Sequence, residues 1–316
     1  MIKIPKQNLY KWIGGKKWLS KTLKEVSKDS IKNNKKIYIE PFLGGMGSFL
    51  AILPILEEKN INQYILNDIN STVINLLLSV KNNPNKLIEN YSKLSEEMYS
   101  KYPTEVYILH PTKNKDKIKI LLKEANEFFI QKRKRFNTLN LKDNKKLEEI
   151  EEINTIFIFL MKNAFNGIYR ENSKGEFNTP FNWNNKKETN KTINMLKEYN
   201  KLFNTIDITF TNLDVFDLLN QYKEKSNDIF IYLDPPYLNE NTTENKYHQE
   251  GFNYDKQIKL LEELKNFDNY LYSNHLHNDI KKYFKEFKII ERKNIMTSKK
   301  ENRQNNVEEI LGIVNK

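Results

Sequence analysis

The chain has 316 residues, 38% of them hydrophobic and 12% aromatic, with a formal net charge of +11 and no cysteine. That is enough chain for one large α/β domain plus a smaller module, and the missing cysteine excludes disulfides, Cys-ligated zinc and a thiolate nucleophile. The basic excess favours a polyanionic partner, although a Lys- and Asn-rich composition from AT-rich coding accounts for it as well.

The first residues, Met1-Ile2-Lys3-Ile4-Pro5, lack a signal-peptide pattern, and no stretch nears the roughly 20 apolar residues of a membrane span. A soluble, cytoplasmic protein with no membrane attachment is expected. Next comes Lys11-Trp12-Ile13-Gly14-Gly15-Lys16. A glycine pair between an aromatic and a lysine lets backbone approach a ligand closely. Trp12 suits covering a flat group and Lys16 suits pairing with a carboxylate. An ordinary turn before a helix at about Trp18 to Ser30 fits the same residues.

Ile37 to Glu40 reads as a strand, Gly44, Gly45 and Gly47 as a tight turn, and an apolar helix starts at about Ser48. A second strand, Tyr64 to Asp68, follows. Asp68 lies 21 residues past Gly47, where an acidic strand end can take ribose hydroxyls. This Rossmann-like pattern fits a nicotinamide dinucleotide as well as S-adenosylmethionine.

From about Ile69 to Tyr199 the texture becomes helical. Helices are expected at Ser71 to Val80, at Asn85 to Tyr99 after Pro84, over one long span from Asp116 to Asn137, and at Leu147 to Asn163. The basic run Lys132-Arg133-Lys134-Arg135 reads as the solvated last turn of the long helix. The stretch ends in Phe165-Asn166-Gly167-Ile168-Tyr169-Arg170 and Gly175-Glu176-Phe177-Asn178-Thr179-Pro180, a hairpin over Ile168 to Asn172 and Gly175 to Thr179. Such a hairpin is a surface turn or a groove reader, with Arg reading guanine and Asn adenine.

The α/β pattern then resumes. Strands are expected at Ile206 to Thr211 and Ile229 to Leu233, a helix at Gln257 to Asn266 and a strand at Tyr270 to His275. Lys288 to Arg292 and Glu308 to Val314 form a closing antiparallel pair. The connection between them, Ser298 to Asn306, is polar and expected to be mobile. His275 and His277 read as surface histidines with no third ligand at a metal-binding spacing; no metal is expected. The division is residues 1–75 and 200–316 as a catalytic domain, with 76–199 as a helical target-recognition domain.

The strand Ile229 to Leu233 runs into Asp234-Pro235-Pro236-Tyr237, which organises the rest. Neither proline can donate to a ladder, so a carboxylate and a tyrosine are held on a stiff turn at the ligand-binding edge of an α/β sheet. An acceptor, rigid carbonyls and a flat ring suit a nucleobase with an exocyclic amine. Asp234 and the Pro235 carbonyl, accepting from the amine, favour tetrahedral nitrogen and attack on a sulfonium methyl, which needs orientation and no covalent nucleophile. A base inside a duplex must be flipped out, and Tyr237 can stack on it.

These blocks together resemble the Dam-type DNA adenine-N6 methyltransferases, including the GATC-type restriction-modification methylases. The matching segments are Trp12-x-Gly-Gly-Lys16, Glu40-Pro41-Phe42-x-Gly44, Asn67-Asp68-Ile69-Asn70, Phe165-Asn166-Gly167-x-x-Arg170, Gly175-Glu176-Phe177-Asn178-x-Pro180, Asp234-Pro235-Pro236-Tyr237 and Ser273-Asn274-His275. The resemblance runs on to Val307-Glu308-Glu309-Ile310-Leu311.

It implies an α/β fold: a Rossmann-like S-adenosylmethionine-dependent methyltransferase sheet, with a mostly helical DNA-recognition insertion carrying the hairpin. It implies S-adenosylmethionine contacts at Trp12, Lys16, Glu40, Phe42, Gly44, Gly45, Gly47, Asp68, Asp214 and Asp234. Catalysis falls to Asp234, Pro235, Pro236 and Tyr237. DNA contacts fall to Phe165, Asn166, Ile168, Arg170, Asn178 and Pro180, with Arg170 on the first guanine of a GATC or other GAT-containing site. Many relatives carry a Gly-Arg-Tyr-Lys-like run after Pro180; this chain has Asn182-Trp183-Asn184-Asn185-Lys186-Lys187, which leaves the second half of the target open. The implied partners are double-stranded DNA and a cognate restriction endonuclease, with the enzyme a monomer. Cytosine-N4 methylation, a nicotinamide-dependent oxidoreductase and a catalytically dead DNA-binding regulator are the competing readings.

Overall fold

The computed structural model describes residues 2–12, 15–111, 113–183, 186–237, 252–293 and 306–316. Ile13, Gly14 of the N-terminal glycine pair, Asn184 and Asn185, and nearly all of the Ser298 to Asn306 connection lie outside them. The chain folds as two compact units. One comprises Met1–Lys16, Gly44–Gly47 and Asn70–Thr205; the other comprises Lys17–Leu43, Ser48–Ile69 and Ile206–Lys316.

The second unit is built on a seven-stranded sheet. Its strands are β1 (Ile37–Glu40), β2 (Gln63–Asn67), β3 (Asp207–Thr211), β4 (Ile229–Leu233), β5 (Asn269–His275), β6 (Glu286–Lys293) and β7 (Asn306–Asn315). The order is β3-β2-β1-β4-β5-β7-β6. Strands β1 to β5 pair in parallel, and β7 runs antiparallel between β5 and β6. Every residue of β1 and β4 is buried, as expected of strands covered on both faces. Flanking helices are α1 (Ser20–Ser30), α2 (Gly47–Glu58), α9 (Val215–Tyr222), α10 (Tyr254–Glu263) and the single turn α11 (Asn278–Lys281). Ile39, Ile231 and Leu233 pack with Leu218 and Leu219 of α9 and Leu260 and Leu261 of α10. The strand order reverses between β1 and β4, where Ile39 pairs with Ile231, so Glu40 and Asp234 leave the sheet at its carboxyl edge beside the reversal point.

Asn67 ties that edge together. Its buried amide donates to the carbonyls of Pro41 and Leu213 at 3.0 Å, and its Oδ1 accepts from Thr211 Oγ1 and the Leu213 N–H at 2.9 Å. One side chain thus fixes the exits of β1, β2 and β3, with all of its hydrogen-bonding capacity used.

The first unit is helical: α3 (Ser71–Asn82), α4 (Pro84–Tyr99), α5 (Lys115–Leu121), α6 (Lys123–Asn140), α7 (Leu147–Asn163) and α8 (Thr189–Phe203). Asn70 caps α3 by accepting from the N–H groups of Thr72 and Val73, and Pro84 opens α4, where its missing N–H is no loss. The long helix expected from Asp116 to Asn137 is two helices. Leu122, at φ −94° and ψ 16°, leaves the helical region, and its side chain, like that of Ile118, is buried. No glycine or proline marks this break; packing sets it.

The basic run Lys132 to Arg135 is likewise not a last turn. The helix continues to Asn140, and Arg133 and Arg135 make bonds within the unit. The hairpin is present in abbreviated form. Glu171 bridges Phe177, Asn172 and Glu176, and Asn178 and Arg170, share backbone bonds of 2.9 Å, and Gly175 closes the turn at φ 72°. Among the described residues no helix is long and apolar enough to cross a membrane.

Candidate active site

On the second unit three carboxylates gather at the reversal edge. Glu40, at the end of β1, is fully buried, and its two oxygens accept from Tyr38 Oη at 2.6 Å and from Ser48 Oγ. Burial pushes its carboxyl up to about 8, against the pull of the Ser48 and Tyr38 hydroxyls, and the charges of Asp234 and Asp68 push it further. Asp68 follows β2 and is 8% exposed. Its N–H donates to the Thr211 carbonyl at 3.2 Å and its own carbonyl accepts from Asn212 Nδ2 at 2.7 Å. Asp234 follows β4, half-buried, with Pro235 buried behind it. Phe42 packs edge-on against Phe252 at 5.2 Å. Asp214 is exposed and caps α9, accepting from the Phe216 N–H at 2.9 Å.

The rest of the D-P-P-Y turn is clamped. The Pro236 carbonyl accepts from Gln257 Nε2 of α10 at 2.6 Å. Tyr237 Oη donates to Glu309 Oε2 at 2.8 Å and stands 3.0 Å from Ser273 Oγ. Its ring meets His275 edge to face at 4.6 Å. Burial, then the charges of Asp234 and Glu309, hold the Tyr237 phenol well above its ordinary pKa, so it offers an aromatic face and a fixed hydroxyl and no proton transfer near neutrality.

On the first unit, Trp12 does not stand open. It stacks on Tyr169 with ring centres 4.9 Å apart and planes 9° from parallel. A Cβ on Gly44 would come within 2.9 Å of its ring, and one on Gly45 within 3.0 Å of its side chain. The glycines at 44 and 45 are thus needed by Trp12, with Gly44 also at φ +48°. Tyr10 Oη donates to the Gly44 carbonyl at 2.8 Å. Gly47 opens α2, and Lys16 is buried at the start of a short 3-10 turn.

The residues expected to face DNA come together on this unit. The Phe165 N–H donates to the Pro180 carbonyl at 2.8 Å. Phe165, Asn166, Arg170 and Pro180 are exposed; Ile168 and Asn178 are half-buried. Asn166 sits at φ 57°, a conformation asparagine tolerates. Arg170 Nε donates to Asn178 Oδ1 at 2.7 Å. Helix α6 carries this hairpin: Asn137 accepts the Phe177 N–H at 2.9 Å and donates to its carbonyl at 3.1 Å, and Arg133 donates to the Thr179 carbonyl at 3.1 Å.

Comparison with known proteins decides the family. The model of D12 class N6 adenine-specific DNA methyltransferases matches residues 12–298. The chain belongs to this family. It is 32% identical over 255 residues to the type II methyltransferase M.MjaIII of Methanocaldococcus jannaschii, covering 79% of this chain and 76% of that protein. It is 26% identical over 261 residues to the type II methyltransferase M1.LlaDCHI of Lactococcus lactis subsp. cremoris, covering 82% and 76%. It is also 25% identical over 256 residues to the DNA adenine methylase of Escherichia coli K12, covering 80% and 73%.

The parts of this methyltransferase that sequence reading passed over lie behind the turn. Gln257 is fully buried on the inner face of α10, and Glu309 is 1% exposed on β7. Each carried a signal. Gln257 shares a helix face with Leu260, Leu261 and Leu264, and Glu309 leads into the apolar run from Ile310 to Val314. A polar group that the pattern places inside is buried with a partner.

Proposed function

We propose that this chain moves the methyl group of S-adenosylmethionine onto the N6 amine of an adenine flipped from a short duplex site, GATC or another GAT-containing sequence. The observation that carries the reading is the pairing, on one clamped turn, of a half-buried carboxylate, Asp234, with an aromatic ring whose hydroxyl is already engaged, Tyr237. Asp234 and the Pro235 carbonyl would accept the amine's N–H groups, freeing the nitrogen lone pair, and the Tyr237 ring would cover the base.

The cofactor supplies an activated methyl on a cationic sulfonium. The donor set of the second unit fits it. Asp68 offers a carboxylate to ribose hydroxyls, and Asp68 and Asp234 make a negative environment that suits a cation, with the protonated Glu40 between them adding no charge near neutrality. The same environment disfavours the pyrophosphate of a nicotinamide dinucleotide, and the segment Pro41 to Ser48 contains no Lys or Arg to offset it. On the first unit the cofactor assignments of Trp12, Lys16, Gly44, Gly45 and Gly47 belong to the same proposal. So does the assignment of residues 76–199 to target recognition, with Arg170 on guanine.

The test is mass spectrometry of nucleosides from a duplex incubated with the enzyme and S-adenosylmethionine. N6-methyladenine is expected, and Asp234→Ala should abolish it while DNA binding survives, because phosphate contacts lie elsewhere. N4-methylcytosine as the product, or near-wild-type transfer by Asp234→Ala, overturns the reading. The genes beside this one test the proposed nuclease partner, light scattering of the purified protein tests the proposed monomer, and cell fractionation tests the proposed place inside the cell.

A further inference from the structure

The Ser273-Asn274-His275 block matches the family without an assigned task, and the second unit gives it one. The D-P-P-Y turn has an anchoring problem. Its two prolines carry no N–H, so at its centre only carbonyls are left by which the backbone can be held. Gln257 meets this need by donating Nε2 to the Pro236 carbonyl at 2.6 Å. A carboxamide does so only if its oxygen faces the other way. Here Gln257 Oε1 accepts from Tyr272 Oη and from Asn274 Nδ2, the latter at 3.3 Å, and Asn274 Nδ2 also lies 3.2 Å from Tyr272 Oη. Asn274 is oriented in turn by its Oδ1, which accepts the His275 N–H at 2.8 Å. Gln257, Tyr272 and Asn274 are all 0% exposed. The far end of the turn is held by Glu309 and Ser273 on the Tyr237 hydroxyl, each 1% exposed.

We infer that Gln257, oriented by Asn274, and Glu309 are positioning residues that hold the Pro235 carbonyl and the Tyr237 ring in their working geometry. This rests on the methyl-transfer reading above. With both proline φ angles fixed by their rings, the turn's main remaining freedom lies in ψ at residues 234 to 236. Strand β4 fixes the turn on one side, and the bonds on the Pro236 carbonyl and the Tyr237 hydroxyl fix it on the other. A leucine at 257 would extend the apolar face of α10 and bury more hydrocarbon. The glutamine instead directs a buried polar network to a turn carbonyl, and no other secondary-structure element gains from that bond.

The experiment uses tritium-labelled S-adenosylmethionine and unmethylated plasmid DNA, with Gln257→Glu and Gln257→Leu profiled against wild type from pH 6 to pH 10. A protonated carboxyl keeps the acceptor for Tyr272 and Asn274 and an O–H for the Pro236 carbonyl; the carboxylate keeps only the acceptor. Burial disfavours the carboxylate, so Gln257→Glu should hold most of the relative kcat at the acid end and lose tenfold or more as the carboxyl ionises, with KM for DNA within twofold. Gln257→Leu should lose kcat at every pH. A Gln257→Leu enzyme with wild-type kcat, or a Gln257→Glu enzyme unaffected across the whole range, overturns the inference. Should neither variant fold, Glu309 carries the test: Glu309→Gln keeps an acceptor for Tyr237 and should hold kcat within twofold, whereas Glu309→Leu should lower it tenfold. Equal kcat in those two overturns it as well. Wild type and Asp234→Ala are run beside them. A wild type that makes no N6-methyladenine sinks the functional reading itself; an active wild type, an inactive Asp234→Ala and an unaffected Gln257→Glu sink only this inference.

Discussion

Glu40 holds a proton at neutral pH because its site at the end of β1 is dry, and that proton is linked to stability. Its folded pKa, about 8, stands above the ordinary value of 4.5. The folded chain therefore binds a proton that the unfolded chain releases between those values. The stabilisation is present in full below about pH 4.5, declines as pH rises and is gone above about pH 8, with a slope of at most about 1.4 kcal/mol per pH unit for one proton. Glu40→Gln should flatten this decline, as read from urea midpoints at pH 5, 6, 7 and 8. Measurement stops at 8 because Lys162, whose amine burial lowers to about 8, adds stability above that point and opposes the trend. Glu40 shows what a sequence discloses at this scale. Its place at the end of a strand before a glycine turn was readable. Its burial under two hydroxyls was not, since Tyr38 and Ser48 meet it only once β1 and α2 pack. Asp234 and Tyr237 were legible because two prolines after an apolar strand leave few alternatives. Gln257 and Glu309 reach the turn through tertiary contacts that no local spacing encodes.

In the function proposed above, the hairpin is the element that reads the DNA sequence. Asn178 holds Arg170 twice, its Oδ1 accepting from Nε at 2.7 Å and its carbonyl from Nη2 at 3.4 Å, and the longer of these bonds must yield when both terminal nitrogens turn to a base edge. Helix α6 supports it from below through Asn137 and Arg133, so the guanidinium is presented from a fixed platform. Arg170→Ala should then lose about 1–3 kcal/mol of discrimination at a single guanine, the worth of one bidentate contact, with a smaller change in overall affinity. A panel of single-base-substituted duplexes at constant salt reads this directly. Equal losses on every duplex would make Arg170 a phosphate contact or a scaffold residue. The turn itself was legible from Asn172 and Gly175, whose chemistry is local. Its docking on α6 was hidden because the basic run looks like a solvated helix end, whereas Arg133 and Asn137 are spaced to meet backbone groups some forty residues away. The break at Leu122 was hidden for the opposite reason: helical spacing continues through it, and only burial of Ile118 and Leu122 bends the chain. Helices α8 and α9 are not among the helices expected from the pattern, yet α8 buries Met195, Leu196, Tyr199, Leu202 and Phe203.

At the scale of the whole molecule, the net charge of +11 predicts binding to DNA that weakens steeply with salt, through release of counterions from each neutralised phosphate. Of the four residues in the basic run on α6, Lys132 lies 4.7 Å from the centre of the Phe128 ring, Arg133 holds the hairpin, Arg135 pairs with Glu152 at 2.7 Å, and Lys134 is left exposed. Lys134→Ala should weaken binding to all duplexes alike and reduce the slope of log affinity against log salt by about 1. A loss confined to one sequence, or an unchanged slope, would remove Lys134 from the DNA surface. The parallel strands were readable as apolar runs ending in polar residues, but the place of β7 between β5 and β6 follows from pairing alone. The pairing of β2 with β3 also shapes how the chain reaches this state. Asn67 and Thr211 are partners 144 residues apart, and closing a flexible loop of that length costs about 4 kcal/mol before the ladder returns anything. The helical unit shortens the search. Asn200 and Asn204 of α8 bond the carbonyls of Val80 and Lys81 at the end of α3, which brings the two ends of the insertion to within about one twelve-residue helix, roughly 18 Å. A chain whose helices associate first therefore meets a smaller entropic barrier at the sheet than one that pairs β2 with β3 first.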